Sequence, residues 1–142
     1  MAATGQSSPP ITVDSHHHFW DLGKLEYEWM PPGDSVLRRS YLPVDLAPLL
    51  ERSGISKTVL VQAHQSVDEA DFLLDLAEVT DFIGGVVAWV DLTDPNVGKA
   101  LDTLQERPNL VGIRHQVHDE PDEAWIVRDD VINGLKEVAS RG

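Results

Sequence analysis

The stretch KTVLVQA at residues 57–63 is a short apolar run that contains β-branched residues and has polar residues at its ends. Runs of this kind are typical of parallel strands that are covered on both faces. Three further stretches have the same character: ITVDS at 11–15, GVVAWVD at 85–91 and LVGIR at 110–114. The sequence therefore predicts four strands of a parallel sheet.

Helical periodicity fills the intervals after these strands. Apolar residues recur at helical spacing over 44–53, 68–80, 97–106 and 129–140. Pro48 lies inside the first of these segments and predicts a helix that is short or starts late. After the first strand the β–α units repeat at about 25 residues each, which predicts an α/β fold made of four such units.

Two architectures are compatible with this order. A closed (β/α)8 barrel has eight units and about 250 residues, so four units correspond to a partial TIM barrel with outer helices. A complete four-stranded, doubly wound sheet is the alternative, and spacing alone does not separate the two. Residues 1–11 are small, polar and rich in proline, so we expect a disordered tail followed by one domain over 12–142.

Composition and charge exclude several classes of function. The 24 Asp and Glu residues outnumber the 11 Lys and Arg residues, and the net charge of −13 disfavours partners such as nucleic acid or a membrane surface. No apolar run approaches the roughly 18 residues of a membrane span, and the chain does not start like a secretory signal. There is no cysteine, which excludes disulfides and thiolate metal sites. We expect a cytoplasmic protein.

The strongest chemical signal is DSHHHFW at residues 14–20. Alternate side chains of a strand share a face, so His16 and His18 are predicted to point the same way and His17 the opposite way. Two imidazoles at the carboxyl end of a parallel strand can hold a divalent metal or a substrate carbonyl. The alternative is a chance polar cluster or the remnant of an affinity tag, for which Phe19 and Trp20 would be unusual company.

Polar residues also follow the other strands: Gln62 and His64 after the second, Asp91 after the third, and Arg114, His115 and His118 after the fourth. Ligands of parallel α/β folds bind at this end of the sheet, so Gln62, Arg114, His115 and His118 are predicted to bind substrate. Alternation places Arg114 and His115 on opposite faces, so only one of them is expected to line the pocket. For His118 an ion pair with a neighbouring carboxylate is an equal alternative. Trp20 is expected to form part of an apolar wall against a sugar ring.

Five segments in this order resemble the amidohydrolase-2 family, and within it the branch of sugar lactonases of the L-fuconolactonase and L-rhamnonolactonase type. They are DSHHHFWDL at 14–22, RSYLPVDL at 39–46, TVLVQAHQSVDEADFLL at 58–74, GGVVAWVDL at 84–92 and LVGIRHQVHDEPDEAW at 110–125. The resemblance extends over nearly the whole chain, from about residue 12 to residue 135.

The resemblance implies a (β/α)8 barrel of which this chain supplies the first four units, and hydrolysis of a cyclic ester. It implies that His16 and His18 correspond to the first-strand His-x-His pair of the family, which faces the site and can bind a metal. Family members differ in metal use, so zinc is a possible cofactor that is not required. The segment 114–118 corresponds to one that borders the substrate pocket. The aspartate that activates water in the family belongs to the eighth strand and has no counterpart here.

Two main hypotheses follow. The chain is the amino-terminal half of a sugar-lactone hydrolase, with little activity alone and a tendency to self-associate through the open edges of the sheet. Alternatively, it is a non-catalytic binding or regulatory module that pairs with another chain through those edges. A third hypothesis is a small metal-binding protein that uses the histidine cluster.

Overall fold

The structure is a computed structural model that describes residues 10–142, so residues 1–9 of the predicted tail lie outside the described part. The strands are β1 (Val13–His17), β2 (Lys57–Val61), β3 (Ile83–Ala88) and β4 (Leu110–Ile113); the helices are α1 (Pro43–Ser53), α2 (Val67–Glu78), α3 (Val97–Gln105) and α4 (Asp129–Ala139). Two short 3-10 helices, Val117–Asp119 and Trp125–Val127, lie between β4 and α4. The predicted order of four β–α units is confirmed. None of the helices in residues 10–142 has the length and apolar character of a membrane span.

The sheet is parallel throughout, and its strands lie in the order β1-β2-β3-β4. A doubly wound sheet reverses its strand order at a switch point, and this sheet has no such reversal. Right-handed connections between sequential parallel neighbours carry each helix to the same face of the sheet. The architecture is therefore half of a TIM barrel, and the doubly wound alternative is wrong.

One face of the sheet carries the core. Leu60, Val86 and Ala88 are fully buried there and belong to one apolar cluster with side chains of the helices such as Leu73 and Leu101. In contrast, Val13 on the first strand is 50% exposed and Val111 on the last strand is 59% exposed. The expectation that the strands are covered on both faces is thus corrected, because within residues 10–142 the helices cover a single face.

Strand β1 lies two residues later than predicted. It pairs with β2 through Asp14 opposite Thr58 and His17 opposite Leu60, so β1 has one extra residue between these pairs. Such a bulge bends a strand and redirects its side chains. As a result two of the three histidines belong to the strand itself, and the third follows it directly.

Helix α1 is longer than Pro48 predicted. It begins at Pro43, a position where proline suits a helix because the missing N–H has no intrahelical partner there. The Asp45 carboxylate accepts a hydrogen bond from the Leu42 N–H at 2.9 Å and so caps the start of the helix. Pro48 removes the donor for the carbonyl of Val44, but both residues are exposed, so water can replace the lost bond.

Candidate functional site

The imidazoles of His16 and His18 meet at the carboxyl end of β1. Their Nε2 atoms are 3.2 Å apart, and the rings are edge to face with centroids 4.9 Å apart. His18 Nδ1 lies 2.8 Å from the carbonyl oxygen of Val61. Because a carbonyl only accepts, Nδ1 carries the hydrogen and Nε2 presents its lone pair toward His16 Nε2. His17 faces elsewhere, with its Nε2 2.8 Å from Thr58 Oγ1.

The surroundings of His18 favour its neutral form. Burial lowers the pKa of His18 below its usual range, the hydrogen bond to the Val61 carbonyl opposes this, and the charges of His16 and Arg114 lower the pKa further. A neutral imidazole is the form that binds a metal or accepts a hydrogen bond. His18 can therefore do either at neutral pH.

The geometry of the pair fits two ligands of one zinc ion. Two nitrogens bound to a tetrahedral zinc at about 2.0–2.1 Å are about 3.3 Å apart, close to the observed 3.2 Å between the Nε2 atoms. The Val61 carbonyl orients the His18 ring in the way that second partners of metal-bound histidines usually do. In residues 10–142, no group of three or more His, Cys, Asp or Glu side chains could hold a metal. The described part of the chain therefore contains no complete metal site.

Arg114 follows β4 and lies close enough to His18 for its charge to lower the histidine's pKa. Its Nη1 donates to the Gln62 carbonyl oxygen at 3.1 Å. Four arginines form ion pairs with carboxylates: Arg39, Arg107, Arg128 and Arg141. Arg114 has no carboxylate partner within the described residues. A guanidinium of this kind can bind a substrate carboxylate or a developing oxyanion.

Trp20 borders the same region. It lines a cavity of about 180 Å³ together with His17, His18 and Tyr41, and its indole N–H donates to the Arg39 carbonyl oxygen at 2.7 Å. Of the residues singled out from the sequence, Trp20 thus lines a cavity with His18, while His16 and Arg114 lie near His18 itself.

The side chains of Gln62 and His115 are both buried, and their roles in substrate binding stay predictions. The Gln62 side chain is fully buried, and its amide Nε2 donates to the Arg114 carbonyl oxygen at 3.4 Å. The His115 side chain is 7% exposed and stacks on Trp125 at 3.9 Å.

Both ring nitrogens of His115 are engaged, since Nδ1 accepts from the Trp89 indole N–H at 3.0 Å and Nε2 lies 2.6 Å from Glu120 Oε1. His118 is exposed and pairs with Asp119 at 3.2 Å, so its role in substrate binding stays a prediction.

Glu69 is a buried residue whose position the sequence did not reveal. Its carboxylate accepts hydrogen bonds from the backbone N–H groups of Ala63, at 3.0 Å, and of His64, at 2.8 Å. Burial raises the pKa of Glu69 to about 7, although these two bonds oppose the shift. The available signal was the Ser66-x-x-Glu69 spacing at the start of α2, which is typical of a helix cap. The carboxylate instead reaches back to the end of β2.

Trp29 is a second unpredicted feature. It lies in the long connection between β1 and α1, is 43% exposed, and donates from its indole N–H to the Ala63 carbonyl oxygen at 2.8 Å. The sequence shows aromatic residues in this connection but does not reveal which backbone group the indole contacts.

Comparisons with known proteins agree with this geometry. Residues 13–139 match the family model of the amidohydrolases. The L-fucono-1,5-lactonase of Burkholderia ambifaria is 37% identical over 114 residues, and that of Burkholderia multivorans is 38% identical over 119 residues. A crystal structure of an amidohydrolase from Burkholderia multivorans with bound zinc has a TM-score of 0.86 and 34% identity.

The chain is much shorter than these relatives. The two lactonase matches cover 80% and 84% of this chain but 39% and 40% of the lactonases. The match to the zinc-bound structure covers 93% of this chain and 46% of the other. The chain therefore spans less than half the length of the proteins that it resembles.

Proposed function

We propose that this chain, which belongs to the amidohydrolase family, supplies the amino-terminal half of the active site of a sugar-lactone hydrolase and has little activity alone. The observation that carries the proposal is the pair of imidazoles of His16 and His18, whose Nε2 atoms are 3.2 Å apart at the carboxyl end of β1. The similarity to two L-fucono-1,5-lactonases supports a cyclic ester of a sugar as the substrate class.

The proposed reaction is hydrolysis of the ring ester. Water attacks the carbonyl carbon, the carbonyl oxygen becomes an oxyanion, and the ring C–O bond then breaks to leave a hydroxy acid. Arg114 is the group in this chain suited to stabilise that oxyanion, because its charge is not neutralised by a carboxylate within the described residues. The base that takes the proton from water lies outside the four β–α units described here.

His16 and His18 would hold a divalent metal if the complete site uses one. A bound zinc ion supplies Lewis acidity toward a carbonyl oxygen. Without a metal, the two rings still orient the substrate, since the His18 Nε2 lone pair is held in place by the bond between Nδ1 and the Val61 carbonyl. Trp20 is proposed as an apolar wall beside them.

The proposed partner is a small sugar lactone, and the proposed location is the cytoplasm. The charge of −13 disfavours nucleic acid and anionic membrane surfaces. The strands β1 and β4 each have one free edge in the described sheet, so self-association of the chain through these edges also remains part of the proposal.

A chimera tests the proposed function. Residues 1–142 are fused to the carboxyl-terminal half of the Burkholderia multivorans L-fucono-1,5-lactonase, and hydrolysis of a panel of sugar lactones is followed with a pH indicator, with zinc and with a chelator. We expect the chimera to hydrolyse a sugar lactone and the 142-residue chain to show little activity. His18→Ala and Arg114→Ala should each lower kcat/KM about 100-fold.

The matched control is Val127→Ala, which changes an exposed residue of the short helix Trp125–Val127. It should leave hydrolysis unchanged. A chimera that unfolds cooperatively but hydrolyses none of the lactones would contradict the proposal, as would full activity of the monomeric 142-residue chain.

A further inference from the structure

A second cavity, of about 460 Å³, lies beyond the carboxyl ends of β2 and β4. Its lining combines one half-exposed indole with several polar side chains: Trp29, Glu28, His64, Gln65, Gln116 and Asp119. This combination of an apolar platform and convergent polar groups is characteristic of small-molecule sites. The cavity is separate from the one that contains His18 and Trp20.

The indole of Trp29 is held in one orientation. Its N–H donates to the Ala63 carbonyl oxygen at 2.8 Å, and its ring meets Trp20 and Tyr27 edge to face, with centroids 5.4 Å and 6.1 Å away. The residue is nevertheless 43% exposed. A ring that is already immobilised loses little entropy when a ligand stacks on it. The structure thus keeps an apolar surface ready at the edge of the cavity.

Polar groups with unused hydrogen-bonding capacity line the cavity beside the Trp29 indole. His64 Nδ1 lies 2.9 Å from Ser66 Oγ, and His64 Nε2 has no partner within residues 10–142. The carboxylates of Glu28 and Asp119 also line the cavity, and Asp119 uses one oxygen toward His118 at 3.2 Å. Carboxylates and an imidazole provide hydrogen-bond acceptors for hydroxyl groups. They do not match an anionic ligand.

The cavity and the histidine pair are built on the same strand end. His18 Nδ1 binds the carbonyl of Val61 and the Trp29 indole binds the carbonyl of Ala63, two residues further along the chain. The Glu69 carboxylate accepts hydrogen bonds from the backbone N–H groups of Ala63 and His64 at this strand end. The Trp29 surface therefore has a defined position relative to the His18 imidazole.

We propose that Trp29 is the stacking platform of a sugar subsite, on which the C–H face of a six-membered sugar ring packs while ring hydroxyls donate to Asp119, Glu28 or His64. Indole faces suit such contacts because they are large, rigid and apolar, and neighbouring carboxylates accept from hydroxyls. The inference rests on the proposed function, because the ring is that of the sugar lactone. Glu69 contributes to the order of this region, since it binds the backbone N–H groups of Ala63, whose carbonyl accepts from Trp29, and of His64.

The test measures binding of a ring that cannot be hydrolysed. L-fucose is titrated into the 15N-labelled 142-residue chain at millimolar concentrations, and the indole N–H signals are followed by NMR. The Trp29 signal, identified by its loss in Trp29→Phe, should shift on titration. Trp29→Ala should weaken binding about tenfold or more, whereas Trp29→Phe, which keeps an aromatic face, should weaken it only a few-fold.

Val127→Ala, at the exposed end of the short helix Trp125–Val127, is the control and should bind L-fucose like the parent chain. Absence of any shift of the Trp29 signal, or equal affinity in Trp29→Ala, would overturn the inference. Trp29→Phe and the indole signal of the parent chain keep the test decisive if Trp29→Ala fails to fold.

Failure of this inference is distinguishable from failure of the proposed function. Lactone hydrolysis by the chimera with a KM that Trp29→Ala leaves unchanged would overturn the subsite alone. Binding of L-fucose at Trp29 together with a chimera that hydrolyses no lactone would overturn the proposed function alone.

Discussion

Burial and hydrogen bonding act in opposite directions on the carboxyl group of Glu69. Its removal from water favours the protonated form, while the N–H groups of Ala63 and His64 favour the carboxylate. Burial is the larger effect, so the pKa rises to about 7. Burial raises the pKa of Tyr27, and the nearby Glu69 carboxylate raises it further. The buried Tyr27 hydroxyl has no hydrogen-bond partner within residues 10–142.

The pKa of Glu69 makes the free energy of unfolding depend on pH. From about pH 4.5 to about pH 7 the folded chain binds more protons than the unfolded chain, so this group lowers stability as pH rises through that window. The loss amounts to about 3 kcal/mol and is complete above the folded pKa. We expect urea denaturation at a series of pH values to show this decrease in the parent chain and not in Glu69→Gln.

Histidines contribute an opposite trend in the same range. Burial lowers the pKa values of His17 and His18, so the unfolded chain binds more protons and their contribution grows as pH rises toward 6.5. The parent chain and Glu69→Gln both contain these histidines. The difference between their pH profiles therefore reports the contribution of the Glu69 carboxyl group alone. Glu51→Gln, on the exposed side of α1, is the matched control. Parallel pH profiles for the parent chain and Glu69→Gln would rule out the assignment.

At the scale of elements, close contact between α4 and the segment after β3 depends on a glycine. A methyl group at Gly134 would overlap the backbone carbonyl of Leu92. Alanine in place of glycine normally stabilises a helix by about 1 kcal/mol. Here the contact is with backbone, which cannot move aside, so we expect Gly134→Ala to lower the free energy of unfolding by about 2–3 kcal/mol, measured by urea denaturation.

Gly98 in α3 is the matched control for this substitution. A methyl group there would lie 2.8 Å from a Glu137 carboxylate oxygen and 3.1 Å from an Arg141 nitrogen, which are the far ends of flexible side chains. Gly98→Ala should therefore be neutral or stabilising. Equal losses of stability in the two variants would show that helix position, and not the contact with Leu92, decides the result.

For the molecule as a whole, the sheet leaves apolar surface and two strand edges uncovered. Val111, on the last strand of the sheet, is 59% exposed and lines a groove of about 310 Å³ together with Leu101 and Val138. Unpaired edges of this kind promote pairing with another chain. We expect the 142-residue chain to self-associate, and we expect Val111→Lys to shift it toward monomer in sedimentation velocity, because a charge at the edge opposes pairing.

Val79→Lys provides the comparison, since Val79 is 81% exposed at the end of α2, away from both edges. It adds the same charge without touching the groove, so association should persist. A parent chain that is monomeric at all accessible concentrations would contradict self-association through the edges.

The sequence by itself determined the order of elements and the direction of the histidines. Each depends on local periodicity: the 3.6-residue repeat located the helices to within two residues, and the two-residue repeat placed His16 and His18 together. Tertiary structure decided the rest. The sequential strand order, the burial of Gln62 and the contact of Trp29 with Ala63 join segments far apart in the chain. Periodicity states which way a side chain points from its own backbone, but the segment that it meets there is set by how the whole chain packs.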